Sequence, residues 1–145
     1  MKLLHFKGFH IVSKLFITIF TVGPVTAISL FPFVIYKNKY LKTNPDTRNH
    51  ESIHIMQQTE CGLVGIIIYL LSGLIFNIWL VSLPALLLFY ILYLFFFLIN
   101  RFKFTTWKKA YDNIPFEREA YCNSNRSAYL GLRKPFAWIK YINEL

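Results

Sequence analysis

The chain has 145 residues, of which 55% are hydrophobic, 19% are aromatic and 16% are charged, and its formal net charge is +9. Soluble domains usually contain about a quarter charged residues, so this composition, with a mean hydropathy of +0.42, excludes a small soluble domain and predicts an integral membrane protein. No nucleic-acid recognition motif accompanies the basic charge, which therefore favours a lipid bilayer, and not nucleic acid, as the partner.

The first apolar stretch covers residues 11–36 and is interrupted by Lys14, Pro24 and Pro32. At about 1.5 Å per residue it is long enough to cross a hydrocarbon core of about 30 Å, either as a full span or as a kinked re-entrant segment. The basic residues before it would also suit a secretory signal peptide. The lysine inside the apolar run favours a retained membrane segment.

Residues 37–49 form a polar loop with four basic side chains and one acid, and under the positive-inside rule this loop is cytoplasmic. A proline and a cluster of polar residues mark a turn at its end, so a helix can begin near residues 47–50. The candidates for its N-cap are Asp46, Thr47 and Asn49.

That helix begins with His50-Glu51-Ser52-Ile53-His54, an HExxH motif. Helical residues four apart project from nearly the same face, so His50 and His54 can bind one metal ion. Glu51 lies about 100° round the helix, where it can accept a proton from the attacking water without being a ligand. The motif predicts the helical half of a zinc metalloprotease site. The plainer interpretation is three polar residues on an exposed first turn.

The motif helix is expected to span residues 47–76 and to enter the bilayer, because residues 61–76 are almost entirely apolar or small. Asn77 offers a turn, and residues 78–99 then form a return helix with Pro84 as its only breaker. The segment after residue 99 is basic again, so both polar ends of this hairpin are predicted to lie at the cytoplasmic face.

Residues 107–145 are predicted to form short helices at the membrane surface. Trp138 and Tyr141 alternate with basic residues such as Arg133, a pattern typical of an amphipathic segment on lipid headgroups. The whole chain is therefore expected to be one all-α membrane domain, residues 1–145, with about three membrane segments.

A zinc site of this kind needs a third protein ligand, usually from another helix. A second helix start follows Pro115, and it contains two of the available acids. The acids outside the motif are Asp46, Glu60, Asp112, Glu117, Glu119 and Glu144.

The motif and this second helix together resemble the gluzincin class of zinc metallopeptidases, in particular membrane-embedded members of the HtpX kind. In those proteins a glutamate of a second helix, within an E-x-x-A pattern, is the third ligand. The resemblance implies that Glu117, followed by Ala120, completes a Zn²⁺ site with His50 and His54. Tyr121 stands where those enzymes often have an aspartate that supports a histidine ligand.

A closer resemblance is to a family of short, uncharacterised membrane proteins from Bacteroidota. They share the stretch Leu-Phe-Pro-Phe at residues 30–33, the pattern from Asn49 to Gln58 and the sequence from Phe116 to Tyr121. This resemblance covers about residues 28–141 and implies a protein of the bacterial cytoplasmic membrane.

The function expected from these parts is hydrolysis of a peptide bond in a membrane-associated substrate at the bilayer surface, with Glu51 as the general base. The oxyanion also needs a donor, and the sequence does not rank the candidates. Those candidates are Tyr121, Arg118 and Arg126. Glu119 is interpreted as support for a histidine ligand or as a surface charge, and it would replace Glu117 as the ligand if the phase of the second helix were different.

The alternative is a non-catalytic membrane subunit or scaffold of an envelope complex, with a structural or vestigial zinc site. A working protease needs a substrate-binding edge strand or groove, and the sequence contains no convincing alternating strand outside the membrane segments. Cys61 and Cys122 are interpreted as reduced and structural, with Cys122 as a minor alternative ligand. His5 and His10 are interpreted as interfacial residues.

Overall fold

The computed structural model describes residues 7–20 and 25–144, and this part of the chain is mostly helical. The elements in chain order are β1 (Phe9–Val12), α1 (Lys14–Phe20), β2 (Ala27–Leu30), β3 (Phe33–Tyr36), α2 (Lys39–Thr43), α3 (Pro45–Phe76), α4 (Trp79–Ser82), a 3₁₀ helix (Leu83–Leu87), α5 (Leu88–Lys103), α6 (Trp107–Asp112), α7 (Pro115–Asn123), α8 (Tyr129–Leu132) and a second 3₁₀ helix (Ala137–Glu144). The predicted helical character is confirmed, and the structure also contains a small sheet that the sequence did not predict.

The three strands form one sheet in the order β1-β3-β2. β3 runs parallel to β1 and antiparallel to β2, so β2 lies at one edge of the sheet. Val34 and Tyr36 of β3 are fully buried and pack with Ile55 of α3. The sheet therefore lies directly against the helix that contains the HExxH motif.

This sheet occupies the stretch that was expected to be a first membrane segment, residues 11–36. Within it α1 has seven residues, about 10 Å at 1.5 Å per residue, which is far short of a hydrocarbon core. The β-branched residues that follow pair as strands because they find a packing surface on α3. Residues 21–24 and His5 lie outside the described residues, so the structure does not confirm a third membrane segment.

α3 is the longest helix, with 32 residues. It begins two residues before the expected region, because the side chain of Asn44 accepts a hydrogen bond from the Thr47 amide at 3.0 Å and Pro45 occupies the first turn. The cap is thus Asn44 and not one of the three predicted residues. The helix ends at Phe76, and its C-cap Asn77 adopts the left-handed conformation with φ of 53°, as the expected turn requires.

Two helical segments are long and apolar enough to cross a membrane, Pro45–Phe76 and Trp79–Lys103. The second includes α4, the 3₁₀ helix and α5, and the 3₁₀ stretch contains Pro84, which cannot donate a helical hydrogen bond. Large apolar side chains on both segments are exposed, for example Leu74 and Leu80. In the core helix of a soluble protein such side chains would be buried.

The two arms of this hairpin approach each other at a glycine. A Cβ atom on Gly65 of α3 would lie 2.0 Å from the main-chain oxygen of Ala85. Any larger residue would have to push the 3₁₀ stretch away from α3. The position of α5 beside α3 therefore depends on this backbone contact.

The C-terminal elements cover the end of the hairpin that contains the motif. Phe116 of α7 is fully buried, and its ring centroid lies 4.5 Å from that of Trp138 and 4.7 Å from that of Phe89 in α5. Trp138 and Tyr141 are 7% and 6% exposed. The expectation that these two residues lie on lipid headgroups is thus wrong, since α7 and α5 provide an apolar surface for them inside the protein.

Candidate metal centre

Two neighbouring turns of α3 and the first turn of α7 meet at one point. The Nε2 atoms of His50 and His54 are 3.1 Å apart. Oε2 of Glu117 lies 3.4 Å from Nε2 of His50, and Oε1 lies 3.3 Å from Nε2 of His54. The structure therefore brings together the three residues that were expected to be ligands, and this cluster could hold a metal ion.

The distances between these groups are close to those between the ligands of one metal ion. Nitrogen and oxygen ligands at about 2.0–2.1 Å from a zinc-sized ion, in tetrahedral directions, lie about 3.3–3.4 Å from one another. The two Nε2 atoms are 3.1 Å apart, and each lies near a different oxygen of Glu117, with Oε2 at 3.4 Å from His50 and Oε1 at 3.3 Å from His54. Three protein ligands leave the fourth position of a tetrahedral ion open, as catalytic sites do and closed structural sites do not.

The two carboxylate oxygens of Glu117 have different hydrogen-bond surroundings. Its Oε1 atom accepts hydrogen bonds of 2.8 Å from the hydroxyl groups of Tyr93 and Tyr111. Its Oε2 atom is buried and has no hydrogen-bond partner among the described residues. A buried acceptor without a donor is costly, and a bound cation would satisfy it. The ligand atoms of His50, His54 and Glu117 thus fit a metal ion.

The charge state of Glu117 also suits a ligand. Burial alone would raise the pKa of this carboxyl, but the neighbouring His54 and His50 side chains outweigh burial and hold its pKa below the ordinary value. Glu117 is therefore ionised at neutral pH, with the lone pairs of its carboxylate available for a cation.

His54 is held by a residue that the sequence did not identify. Its Nδ1 atom lies 2.8 Å from Oε1 of Gln57, so Nδ1 donates to that amide oxygen and Nε2 presents its lone pair to the cluster. Gln57 in turn donates to the main-chain oxygen of Phe116 at 3.0 Å and to Oε2 of Glu119 at 3.1 Å. Its position three residues after His54, on the same helix face, was the available signal.

Glu119 belongs to a buried ionic cluster behind the metal cluster. Arg133 donates through Nε to its Oε1 at 2.5 Å, and pairs through the other end of the guanidinium with Glu60. All three side chains are at most 1% exposed. Burial would lower the pKa of Arg133, but the two carboxylates raise it, so the arginine is charged. Glu119 thus supports His54 through Gln57, and Arg133 is not a surface charge.

Of the expected oxyanion donors, Tyr121 contacts a residue of the metal cluster. The ring of Tyr121 packs against that of His50, with centroids 4.6 Å apart, and its pKa is raised to about 12 by burial and by the charge of Glu117. Arg118 lies 3.4 Å from Asn113, and Arg126 lies 3.5 Å from Asn123. Neither arginine lines the cavity described next.

Two other sequence expectations concern residues away from the cluster. Cys122 is exposed and is not one of the cluster's ligands. His10 shares a hydrogen bond of 2.7 Å between its Nδ1 atom and the hydroxyl of Tyr36. The ligand set found among the described residues is therefore His50, His54 and Glu117 alone.

A cavity of about 290 Å³ opens beside the cluster, between β2, α3 and α5. Glu51, His54 and Glu117 form its polar wall. The rest of the wall is mostly apolar or aromatic and consists of Val25, Ala27, Ile28, Ser29, Leu30, Gln58, Phe89, Tyr90, Tyr93 and Tyr111. The expected general base and two of the expected ligands thus face the same space, which is large enough for a part of a peptide.

The edge strand β2 forms one side of this cavity. Lys37 donates to the main-chain oxygen of Thr26, so every second residue from Thr26 bonds to β3, and the backbone groups of Ala27 and Ser29 face the open side. Gln58 of α3 reaches that side and bonds the Ser29 oxygen at 2.9 Å and the Phe31 amide at 2.7 Å. A strand edge that the sequence did not reveal therefore lies beside the cavity, and Gln58 bonds part of it.

Comparison of the chain with protein-family models, with curated proteins and with solved structures found no match in any of the three.

Proposed function

We propose that the protein is a gluzincin-like zinc metallopeptidase that cleaves a peptide bond of a membrane-associated substrate at the bilayer surface. The observation that supports this most strongly is that His50, His54 and Glu117 form a group that could hold one metal ion, with the carboxylate of Glu51 lining the adjoining cavity. A purely structural site would have no use for an acid that faces an accessible cavity.

In this proposal His50, His54 and Glu117 hold Zn²⁺, which supplies Lewis-acid polarisation of the scissile carbonyl and a water of lowered pKa. Glu51 accepts the proton of the attacking water and later donates it to the leaving amine. The hydroxyl groups of Tyr93 and Tyr111 line the cavity and already donate hydrogen bonds to Glu117. Each hydroxyl has one proton, so either tyrosine would donate to a developing oxyanion by moving its hydrogen bond away from Glu117. Both line the cavity, which Arg118 and Arg126 do not.

The substrate in this proposal is an extended peptide that lies along the open side of β2. The outward backbone groups of Ala27 and Ser29 offer main-chain hydrogen bonds, as in other cases where a peptide adds a strand to a sheet edge. The mostly apolar wall of the cavity favours an apolar substrate side chain. Because Phe89 and Tyr90 belong to a candidate membrane span, the cavity is reached near the membrane surface.

We further propose that the two long helices cross a bacterial cytoplasmic membrane with the site at the cytoplasmic face. The basic residues near both polar ends of the hairpin support this orientation. The resemblance to HtpX-like gluzincins and to the short Bacteroidota proteins belongs to this proposal as well.

The proposal is tested on detergent-purified protein, by zinc analysis and by cleavage of peptides presented on lipid vesicles. About one zinc per chain is expected, and it should be lost in His54→Ala and Glu117→Ala but kept in His10→Ala, a histidine outside the cluster. Glu51→Gln should keep the zinc and abolish cleavage, while Asp46→Asn, an exposed acid of the same helix, should keep both.

The outcomes separate the proposal from its alternative. Absence of zinc from the wild type after supplementation would overturn the metal site. Zinc together with a function that survives Glu51→Gln would instead show the structural site of a membrane subunit, because a structural site needs ligands but no base.

A further inference from the structure

The general base expected at Glu51 is held by a residue of the edge strand. The hydroxyl oxygen of Ser29 lies 2.5 Å from Oε2 of Glu51 and 3.0 Å from the main-chain oxygen of the same residue. Ser29 is 9% exposed and Glu51 is 7% exposed, so water competes little for this contact. Hydrogen bonds to an ionised carboxylate are shorter and stronger than neutral ones, which agrees with the short distance to Oε2.

This contact leaves one carboxylate oxygen available. Oε2 of Glu51 accepts from Ser29, whereas Oε1 has no hydrogen-bond partner among residues 7–20 and 25–144. Glu51 also lines the cavity beside His54 and Glu117. A glutamate side chain has several accessible rotamers, and the bond from Ser29 to one oxygen reduces them to those in which that bond is kept.

The backbone of Ser29 also faces the place where a substrate would bind in this proposal. Its amide and carbonyl groups lie on the open side of β2, where an extended peptide would pair, and its carbonyl oxygen is fixed by Gln58. One residue therefore contacts both the general base and the strand edge. Its side chain sets the position of the base, and its main chain contributes to the position of the substrate.

We propose that Ser29 is a positioning residue that fixes the carboxylate of Glu51 in register with a peptide bound along β2. This inference rests on the proposed peptidase function and names a residue outside the HExxH motif and its ligands. Replacing the side chain should affect turnover, whereas the backbone that would bind the substrate stays in place.

The first test compares three variants of the zinc-loaded full chain. Ser29→Ala should lower kcat roughly 10–100-fold, as loss of an orienting partner usually does, with KM nearly unchanged and zinc content unchanged. Ser29→Thr, which keeps a hydroxyl, should recover most of kcat. The control is Ser52→Ala, since Ser52 is also buried but bonds to the main-chain oxygen of Lys7 and does not line the cavity.

A rise in KM with kcat unchanged in Ser29→Ala would overturn the proposal, because it would assign the side chain to substrate binding. Equal losses in Ser29→Thr and Ser29→Ala would overturn it as well, since they would show that packing and not the hydroxyl matters.

The second test needs no activity. The unfolding temperature of the full chain as purified is measured for Ser29→Ala, Glu51→Ala and the double variant, with the metal content recorded for each. The shift caused by Ser29→Ala should shrink in the Glu51→Ala background, because the carboxylate acceptor of the hydroxyl is gone and only the contact with the main-chain oxygen of residue 51 remains. Additive shifts would overturn the contact.

The two tests also separate this inference from the proposed function. A wild-type protein with zinc and no cleavage of any membrane-presented peptide overturns the peptidase function, and coupling in the second test would then make Ser29 a structural contact only. Cleavage by the wild type with no effect of Ser29→Ala leaves the function intact and overturns the role of Ser29 alone.

Discussion

The two halves of α3 differ in their buried and exposed side chains: the first half buries polar residues, and the second half exposes apolar ones. From Glu51 to Cys61 every residue is buried, and seven of these residues are polar or charged and need hydrogen-bond partners within the protein, among them Gln57 and Glu60. From Leu63 to Phe76 most residues are apolar, and the large side chains are exposed. One continuous helix thus carries a polar interior at one end and an apolar surface at the other.

This difference shows that the two halves are adapted to different surroundings. The polar half is enclosed by the sheet, by α7 and by the C-terminal segment, which together provide the hydrogen-bond partners that buried polar groups require. The apolar half has too few protein neighbours to cover it, and a bilayer is the solvent that would leave such a surface stable. The candidate metal centre lies in the polar half, with His54 nine residues before Leu63.

The largest expected effect concerns the ionic cluster of the polar half. Arg133→Met should lower the free energy of unfolding by about 3–5 kcal/mol, because Glu60 and Glu119 would remain buried without their cation. The measurement is thermal unfolding in detergent. Lys134→Met, at the exposed neighbouring position, is the matched control and should have little effect.

The triple variant Glu60→Gln, Glu119→Gln and Arg133→Met should recover much of that loss, since no buried charge is then left unpaired. A mild effect of Arg133→Met alone would contradict the view that this half is closed to water.

The next effect concerns the apolar half. Ile67 is 56% exposed near the middle of the apolar part of α3, and Ile67→Lys places a charge there. If a bilayer covers this surface, the substitution should cost about 2.5–3.5 kcal/mol of insertion free energy, measured in a glycosylation-based insertion assay. Tyr40→Lys, on an exposed residue outside both long helices, should leave insertion unchanged. Equal insertion of the two variants would argue that the hairpin does not cross a membrane.

The sequence predicted the parts of the fold that depend on local patterns. The span of α3, the turn at Asn77 and the return segment follow from apolar runs and their breakers. The approach of His50 and His54 follows from helix geometry alone. The proximity of Glu117 came from a resemblance, because no local pattern ranks one acid above the others.

The sequence did not reveal the elements that depend on distant contacts. β2 and β3 have four residues each inside a long apolar stretch, and a short apolar run does not distinguish a strand from part of a membrane helix. Arg133 resembled a surface charge because its partner Glu60 lies 73 positions away in the sequence. Gln57 had a visible helical spacing from His54, but its second partner on α7 was not visible.

The smallest of these effects tests the connection between the polar half and the metal cluster. Gln57→Leu removes the acceptor of the His54 Nδ1 proton, so the ring can rotate and its Nε2 lone pair is no longer directed at the cluster. Loss of such a partner typically weakens metal binding 10–100-fold, which is about 1.4–2.8 kcal/mol. The measurement is competition for Zn²⁺ with a chelator of known affinity at constant pH.

Gln58→Leu is the matched control, because Gln58 is the next residue of the same helix but bonds to β2 and not to a histidine. It should leave the zinc affinity close to that of the wild type while loosening the strand that lines the cavity. If both variants bind zinc equally weakly, the effect comes from general loosening of the polar half. If only Gln57→Leu is weakened, the buried polar residues act on the metal ligand through a defined hydrogen bond, and the enclosure of that half of α3 serves the site.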